Sequence, residues 1–442
     1  MTKEKKESKE TILAPKGMRD IFGDDYYYFQ GFFEKAQEIA VYYGFKPIEL
    51  PAMEREEVFA STVGAGTDIV DKEMYYVKAK GGEKLVLRPE GTAGTVRAYI
   101  EHGLQAEPQP VMIYYYGPFW RHDKPQRGRF REFRQFGLEV IGTEKSIADA
   151  LVIRTVATIL KEAGSENLVV ELNSIGDKEC RPAYIKELTS FYKKHINSVC
   201  PDCKMRLGTN PLRLLDCKNE KCQFIKEKAP DMMNFLCQNC QTHFKEVLEF
   251  LEEAGINYRI NKNLVRGLGY YNRTVFEMFD ETPPVINPEE AVQEKFQEKL
   301  SLASGGRYDY LAKGLNSKRD IGALGCAIGV DRVIAAPWWA KLKPKIMKKP
   351  KIFFARLGEE AKLKSLTVIE LLRQARIPIA QSIAKDSIGV QLAIAEKLAV
   401  PHTIIFGQKE ALDNSVIVRD MATRSQETVK IDKLADYLKR LK

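Results

Sequence analysis

Two stretches of chain separated by a charged turn set the first constraint on the fold. Residues 113–120 read IYYYGPFW and residues 129–141 read RFREFRQFGLEVI. The second stretch alternates with period two. Read as a strand, it puts Arg129, Arg131, Gln135 and Glu139 on one side and Phe130, Phe136, Leu138 and Val140 on the other. Between the two stretches, DKPQRGR supplies the proline and glycine of a hairpin turn. The pattern predicts an antiparallel sheet with one apolar face. Its other face is either the floor of a polar site or a solvated surface, and alternation alone does not choose between them. Residues 121–137 hold six Lys and Arg and one His against two acids. Arginine suits phosphate because its planar fork offers two aligned donors and stays charged.

At 442 residues the chain exceeds the usual size of one domain, so two or three domains with their own cores are expected. A net charge of +9 admits a polyanionic partner without requiring one. No long uncharged apolar run could span a bilayer, and no leader with an apolar core and cleavage site is present, so the reading is a soluble, cytoplasmic protein with no membrane partner. Only residues 1–10, MTKEKKESKE, have the composition of a disordered tail.

The pattern predicts an amphipathic helix over 25–44, short strands from 45 to 141, a helix over 146–164 and a strand over 167–174. Residues 176–257 differ in kind, being helix-forming, rich in Lys and Cys, and without strand alternation. They are expected to form a helical insertion. Strand-like text resumes at 258–279 and 301–311, and 321–336 reads as a strand running into a helix. A linker is expected over 337–350, since residues 341–351 hold six lysines and two prolines. From 351 to 442 strands and helices alternate as a compact α/β domain of mixed sheet, with 16 Lys and Arg against 11 Asp and Glu.

Two further clusters carry polar chemistry. In 87-LRPEGTAG-94 a proline and two glycines bend the chain around Glu90 and Thr92, which could offer a carboxylate and a hydroxyl to a ligand amine. In 264-LVRGLGYYNRTVFE-277, Arg266 stands beside two glycines and the paired Tyr270 and Tyr271, a placement that permits close backbone approach beside an aromatic wall. No Walker-type phosphate loop occurs, and no GxGxxG turn follows a strand. If this chain handles nucleotide, arginines do what glycine amides do elsewhere.

These clusters, with 305-GGRYD-309 and 325-GCAIGVDR-332, resemble in order and spacing the class II aminoacyl-tRNA synthetases, and specifically the bacterial histidyl-tRNA synthetases. The opening PKGMRDIFGDD and the stretch up to residue 59 are similar to the family's start and its motif 1, which builds a homodimer interface. The resemblance covers nearly the whole chain. It implies an α+β fold, with a class II antiparallel sheet flanked by helices in a catalytic domain over 11–336, the helical insertion within it, and an anticodon-binding domain over 351–442. It implies ligation of L-histidine to tRNA(His) with ATP and Mg²⁺, releasing AMP and pyrophosphate.

Position by position, the resemblance makes Arg121 a ligand of the ATP α-phosphate and of the histidine carboxylate, and Arg332 a ligand of the γ-phosphate. Gln126 and Arg127 would face the acceptor end of the tRNA. Arg266 would act at the α-phosphate, so that Arg266 and Arg121 are the catalytic pair. Glu90, Gly91, Thr92, Gln135, Glu139, Tyr270, Tyr271 and Tyr308 would enclose the histidine. The chain departs from the family where Gly269 replaces an aspartate, where Tyr310 stands in place of a common glycine, and where Asp331 replaces a glutamate. The missing aspartate puts the positioning of Tyr270 and Tyr271 in question.

Six of eight cysteines fall between Cys200 and Cys240. Two CxxC pairs, Cys200 with Cys203 and Cys237 with Cys240, match the spacing of a tetrahedral structural Zn²⁺ site. Buried thiols without metal are the competing reading and the one the resemblance favours, because many members of the family look to lack several of these cysteines. His195 and His243 read as ordinary surface histidines. Two other functions compete: a catalytically silent paralogue serving a phosphoribosyltransferase, and a plain RNA-binding protein. The retained arginines and the basic end domain argue against the first, and a pocket of Glu90 and Tyr271 argues against the second.

Overall fold

The structure is a computed structural model that describes residues 11–64, 67–124, 128–282, 300–345, 350–383 and 387–441. Two compact units divide between Pro344 and Lys345. Among the described residues no helix is long and apolar enough to cross a membrane.

In the first unit the strands are β1 (Lys46–Pro47), β2 (Met53–Arg55), β3 (Tyr75–Lys78), β4 (Lys84–Leu87), β5 (Val111–Trp120), β6 (Glu132–Ile141), β7 (Leu168–Ser174), β8 (Tyr258–Ile260), β9 (Asn272–Asp280), β10 (Ala303–Arg307) and β11 (Ala323–Gly329). Eight of them form one sheet in the order β1-β5-β6-β11-β10-β9-β7-β8. Its six inner strands are antiparallel, as the alternation implied, while the edge strands β1 and β8 pair in parallel. Strand β6 starts at Glu132 and not at 129. The Arg131 amide instead donates to Gly17 O at 2.8 Å, so the motif's first arginines lie where the sheet meets the N-terminal segment.

Helices Gly23–Tyr42 and Ser146–Glu162 cover the apolar face. Phe136, Leu138 and Val140 share one core with Phe32, Val152, Val156 and Leu160. This burial of aliphatic and aromatic side chains is the main stabilising term of the unit. Residues 338–342, within the stretch expected as a linker, lie against the same core. Trp339 is buried in it, and a Cβ on Gly31 would stand 2.3 Å from Leu342 O, which explains glycine in mid-helix.

Arg307, fully buried, ties the sheet together. It pairs with Asp149 of the covering helix, places Nε 3.2 Å from Asp309 Oδ1 and donates to Thr143 O. His243, expected at the surface, is also buried and sits 3.3 Å from Asp149 Oδ1. The surface expectation was wrong because a lone histidine on an amphipathic helix does not reveal which face it occupies. Burial alone would raise the Asp149 acid, but Arg307 and His243 overcome it and hold the carboxyl below its usual range.

The insertion is helical as expected, with helices Arg181–Lys194, Pro201–Thr209, Glu220–Glu227 and Gln238–Glu253. It does not bring Cys200, Cys203, Cys237 and Cys240 to one point. Cys200 and Cys203 meet Cys217 and Cys222, whereas Cys237 and Cys240 meet Cys180 and Asp177. The quartet drawn from the two CxxC pairs is therefore corrected: each pair meets nearer partners, which pair spacing along the chain does not reveal.

The second unit holds β12 (Ile352–Arg356), β13 (Ile379–Gln381), β14 (His402–Phe406), β15 (Ser415–Asp420) and β16 (Gln426–Lys430) in the order β13-β12-β14-β15-β16. Its first three strands are parallel and the rest antiparallel, giving the expected mixed sheet. The two edge strands carry little signal in the sequence. One has three residues and the other is polar and mostly exposed, so neither carries an alternating apolar signal.

Arg307→Met should lower the stability of the chain by about 3–5 kcal/mol, because it leaves the buried Asp149 and Asp309 carboxylates without their shared guanidinium. Urea unfolding of variant and parent chains checks this, and a loss below ~1 kcal/mol would show that the network is dispensable.

Candidate active site

The site grows from one bend and one sheet. At the bend the Glu90 carboxylate accepts the amides of Thr92 at 2.7 Å and Ala93 at 2.9 Å, capping helix Thr92–Glu101 at its positive end. A Cβ on Gly91 would lie 2.2 Å from Tyr115 Cζ, and one on Gly137 would lie 2.0 Å from the same atom. Tyr115 and Gly137 are register partners on β5 and β6. Glycine on both sides lets the Tyr115 ring lie flat against the sheet and beneath the bend.

Under that ring sits Glu139. Its Oε1 accepts the hydroxyls of Thr92 at 2.8 Å and Tyr115 at 3.2 Å, and its Oε2 accepts that of Tyr308. Gly325 on β11 makes the room, since a Cβ there would overlap the carboxylate. Tyr270 donates to Glu90 Oε2 at 3.3 Å and lies 4.7 Å from Tyr271, ring centre to ring centre. Burial pushes the Glu139 acid up to about 8 even though the Tyr308 and Thr92 hydroxyls favour its charge. Burial likewise raises Glu90 against its amide bonds, and holds the phenols of Tyr115, Tyr270 and Tyr308 well above their ordinary range, so they remain donors.

Beside this pocket, Arg121, Arg129, Arg266 and Arg332 line a cleft of about 520 Å³ together with Glu90, Thr92, Gln135, Tyr270 and Tyr271. Arg121 Nε donates to Pro89 O at 2.8 Å. Arg266 pairs with Glu277, donates to Ser304 Oγ at 2.8 Å, and has a buried Nε without a protein partner among the described residues. Arg332 is held by Ser301 O at 2.7 Å and Gly128 O at 3.2 Å. Burial, then Arg129 and Arg121, lowers its pKa, a direct sign that these cations share one space. An anion bound among them relieves that repulsion. Gln135 Oε1 is buried with no partner among the described residues, leaving an acceptor for a ligand.

The family model for histidyl-tRNA synthetase matches residues 17–176, and that for the anticodon binding domain matches residues 351–441. A histidine–tRNA ligase of Dehalococcoides mccartyi is 40% identical over 427 residues, covering 97% of this chain and 99% of the relative. This chain belongs to the histidyl-tRNA synthetase family.

Among solved structures, apo histidyl-tRNA synthetase of S. aureus superposes with a TM-score of 0.76 at 30% identity over 97% of this chain and all of that one. A Bacillus halodurans protein described as an ATP phosphoribosyltransferase regulatory subunit/histidyl-tRNA synthetase shares the fold, with a TM-score of 0.60 at 21% identity over 88% of this chain and 97% of that one.

Nine of the residues expected at a site of this family line the cleft: Glu90, Gly91, Thr92, Arg121, Gln135, Arg266, Tyr270, Tyr271 and Arg332. Glu139 and Tyr308 lie beneath its wall, where Glu139 holds Thr92 and Tyr115 and Tyr308 donates to Glu139. Gln126 and Arg127 fall outside the described residues. Sequence reasoning missed Tyr115, Glu277 and Ser304, and missed that the insertion reaches the cleft through Arg213, Asp216 and Lys218. The glycines opposite Tyr115 were the one available signal.

The departures from the family find physical reasons. The Gly269 amide donates to Val63 O at 2.9 Å, and a Cβ there would stand 2.6 Å from that oxygen, so close backbone docking excludes a side chain and fixes the loop before Tyr270. Asp331 accepts from Arg19 at 2.7 Å and from the Arg134 amide at 2.6 Å, so the shorter acid is bonded to the opening motif and to β6. Lys178 Nζ stands 5.2 Å from the centre of the Tyr310 ring.

Glu139 gives a pH test. Its folded pKa lies above the unfolded value, so the folded chain binds the extra proton between the two, and stability falls as pH rises towards and through about 8. Glu139→Gln removes this slope. Unfolding measured from pH 5 to pH 9 should show the parent chain losing stability relative to the variant, and parallel curves would contradict it.

Proposed function

We propose that this cleft carries out the two steps of a histidine–tRNA ligase, working in the cytoplasm. L-Histidine and ATP give histidyl-adenylate and pyrophosphate; the adenylate then acylates the 3′ end of tRNA(His) and releases AMP. The observation that carries the reading is the meeting, in one cleft, of the guanidinium groups of Arg121, Arg129, Arg266 and Arg332 with the carboxyl of Glu90 and the phenols of Tyr270 and Tyr271.

Imidazole has two distinct nitrogens, and Glu90, Thr92, Gln135, Tyr270 and Tyr271 offer both donors and acceptors to it. A side chain of similar size without those nitrogens leaves buried polar groups unpaired, which is a strong basis for rejection. Glu139, itself held by Tyr308, keeps Thr92 and Tyr115 in place. Arg121 holds the α-phosphate and the amino acid carboxylate, and Arg332 the γ-phosphate. In the first step the carboxylate oxygen attacks the α-phosphorus as the bond to the pyrophosphate oxygen breaks. Nucleophile and target are both anionic, and Arg121 and Arg266 neutralise the equatorial oxygens. No protein base is needed, because the carboxylate is already ionised near neutral pH. The Glu277 pair and the Ser304 hydroxyl fix the fork of Arg266 before substrate arrives.

Glu73 also lines the cleft, and such a hard oxygen donor fits Mg²⁺. When bound with ATP, the ion supplies positive charge to phosphate oxygens. Gln126 and Arg127 contact the acceptor end of the tRNA, and residues 351–442 engage the anticodon. The segment up to residue 59 forms a homodimer interface.

Histidine-dependent exchange of pyrophosphate into ATP, tried with each amino acid in turn, tests the function; exchange with none would favour a catalytically silent paralogue. Arg266→Ala should lower the rate of adenylate formation by about 10²–10³, the scale of losing one donor to a transition-state charge. Histidine affinity, measured by equilibrium binding, should change only a few-fold. An equal loss in rate and affinity would place Arg266 in ground-state binding instead.

A further inference from the structure

The insertion carries two clusters of metal-binding side chains that the ligase reaction does not use. In the first, Sγ of Cys200 lies 3.8 Å from that of Cys217, and Sγ of Cys222 lies 3.9 Å from that of Cys203. All four sulfurs fall within 4.8 Å of one another, and all four residues are buried. Zn–S bonds of about 2.3 Å set on a tetrahedron put the sulfurs about 3.8 Å apart. A disulfide needs about 2.05 Å, so these are not pairs of oxidised cysteines. Two of the sulfurs come from a helix start, where Pro201 follows Cys200 and Cys203 sits in the first turn. The Cys200 amide donates to Cys222 Sγ at 3.2 Å, a bond that favours thiolate.

We propose that Cys200, Cys203, Cys217 and Cys222 bind one structural Zn²⁺ ion through four thiolates. Each thiol gives its proton to solvent as its bond to the metal forms. The ion fixes the stretch 210–219, where the only regular element is the short turn Pro211–Leu214. Cys217 stands between Asp216 and Lys218, which line the active cleft with Arg213, and Arg213 reaches Asp68 at 2.6 Å. The metal therefore holds the edge of the insertion against the cleft.

A second cluster supports the same inference independently. Asp177, Cys180, Cys237 and Cys240 bring their ligand atoms within 4.8 Å of one another, with the sulfurs of Cys180 and Cys240 3.8 Å apart. These residues stand at the entry and the exit of the insertion, and three thiolates with one carboxylate are an accepted donor set for Zn²⁺. An ion here closes a loop of about 60 residues and restricts the unfolded chain accordingly. Next to it, Arg181 donates to Tyr271 O at 2.7 Å, so the clamp lies one contact from the pocket.

Elemental analysis of the purified full-length chain should find two zinc ions per chain. Cys203→Ser and Cys222→Ser should each reduce this to one, and so should Cys240→Ser. Replacement of zinc by Co²⁺ in the parent chain should produce thiolate-to-cobalt charge-transfer absorption and the strong visible bands of tetrahedral cobalt. That measurement decides the matter even if a serine variant fails to fold. Zinc-free protein that gives no such cobalt spectrum overturns both sites, as does a mass showing disulfides among these cysteines. One zinc that survives Cys203→Ser but is lost in Cys240→Ser overturns the four-thiolate site and keeps the other; the converse overturns the second. None of these readouts depends on ligase activity.

Discussion

The register of β5 on β6 is the constraint on which the site depends. It sets Tyr115 across from Gly137, and only a residue without a side chain leaves space for that ring. With the ring flat on the sheet, its hydroxyl reaches Glu139 while its face fills the space under Gly91. A slip of one residue would send Glu139 to the apolar face and Leu138 into the pocket. The packing of Phe136, Leu138 and Val140 beneath helix Ser146–Glu162 opposes that slip, so the hydrophobic core of one face holds the polar chemistry of the other.

Two kinds of charge are kept apart by this sheet. On the apolar side, Arg307 is fully compensated by Asp149 and Asp309 and takes no part in binding. On the open side, Arg121, Arg129, Arg266 and Arg332 share the cleft, and the repulsion that lowers the Arg332 pKa is one that a bound anion relieves. The carboxylates follow the same division. Glu277 is committed to Arg266, while Glu90 and Glu139 lie among hydroxyls and amides where burial disfavours their charge. Binding phosphate and recognising imidazole thus occupy adjoining regions, one lined by guanidinium groups and the other by buried hydroxyls, phenols and carboxyls whose charge burial disfavours.

The insertion is more than a spacer. Its residues 213–218 form part of the cleft wall, and the two cysteine clusters stand at the base of that wall and at the root of the whole module. A segment with so little regular structure needs some other restraint to keep charged side chains at fixed positions. Metal coordination supplies one without a large core.

Sequence by itself determined the strand pair and its faces, the helical character of the insertion, the mixed sheet of the second unit, and the motifs that mark the family, because alternation, helical period and motif spacing are local properties. The identity of the arginines and of the Glu90 bend was legible for the same reason. Tertiary structure alone decided which cysteines meet, that His243 is buried against Asp149, that Glu139 and Tyr308 support the pocket wall from beneath, and that Gly269 is demanded by Val63. Each of these depends on contacts between residues distant along the chain, and close approach in space leaves no periodic trace in the order of the amino acids.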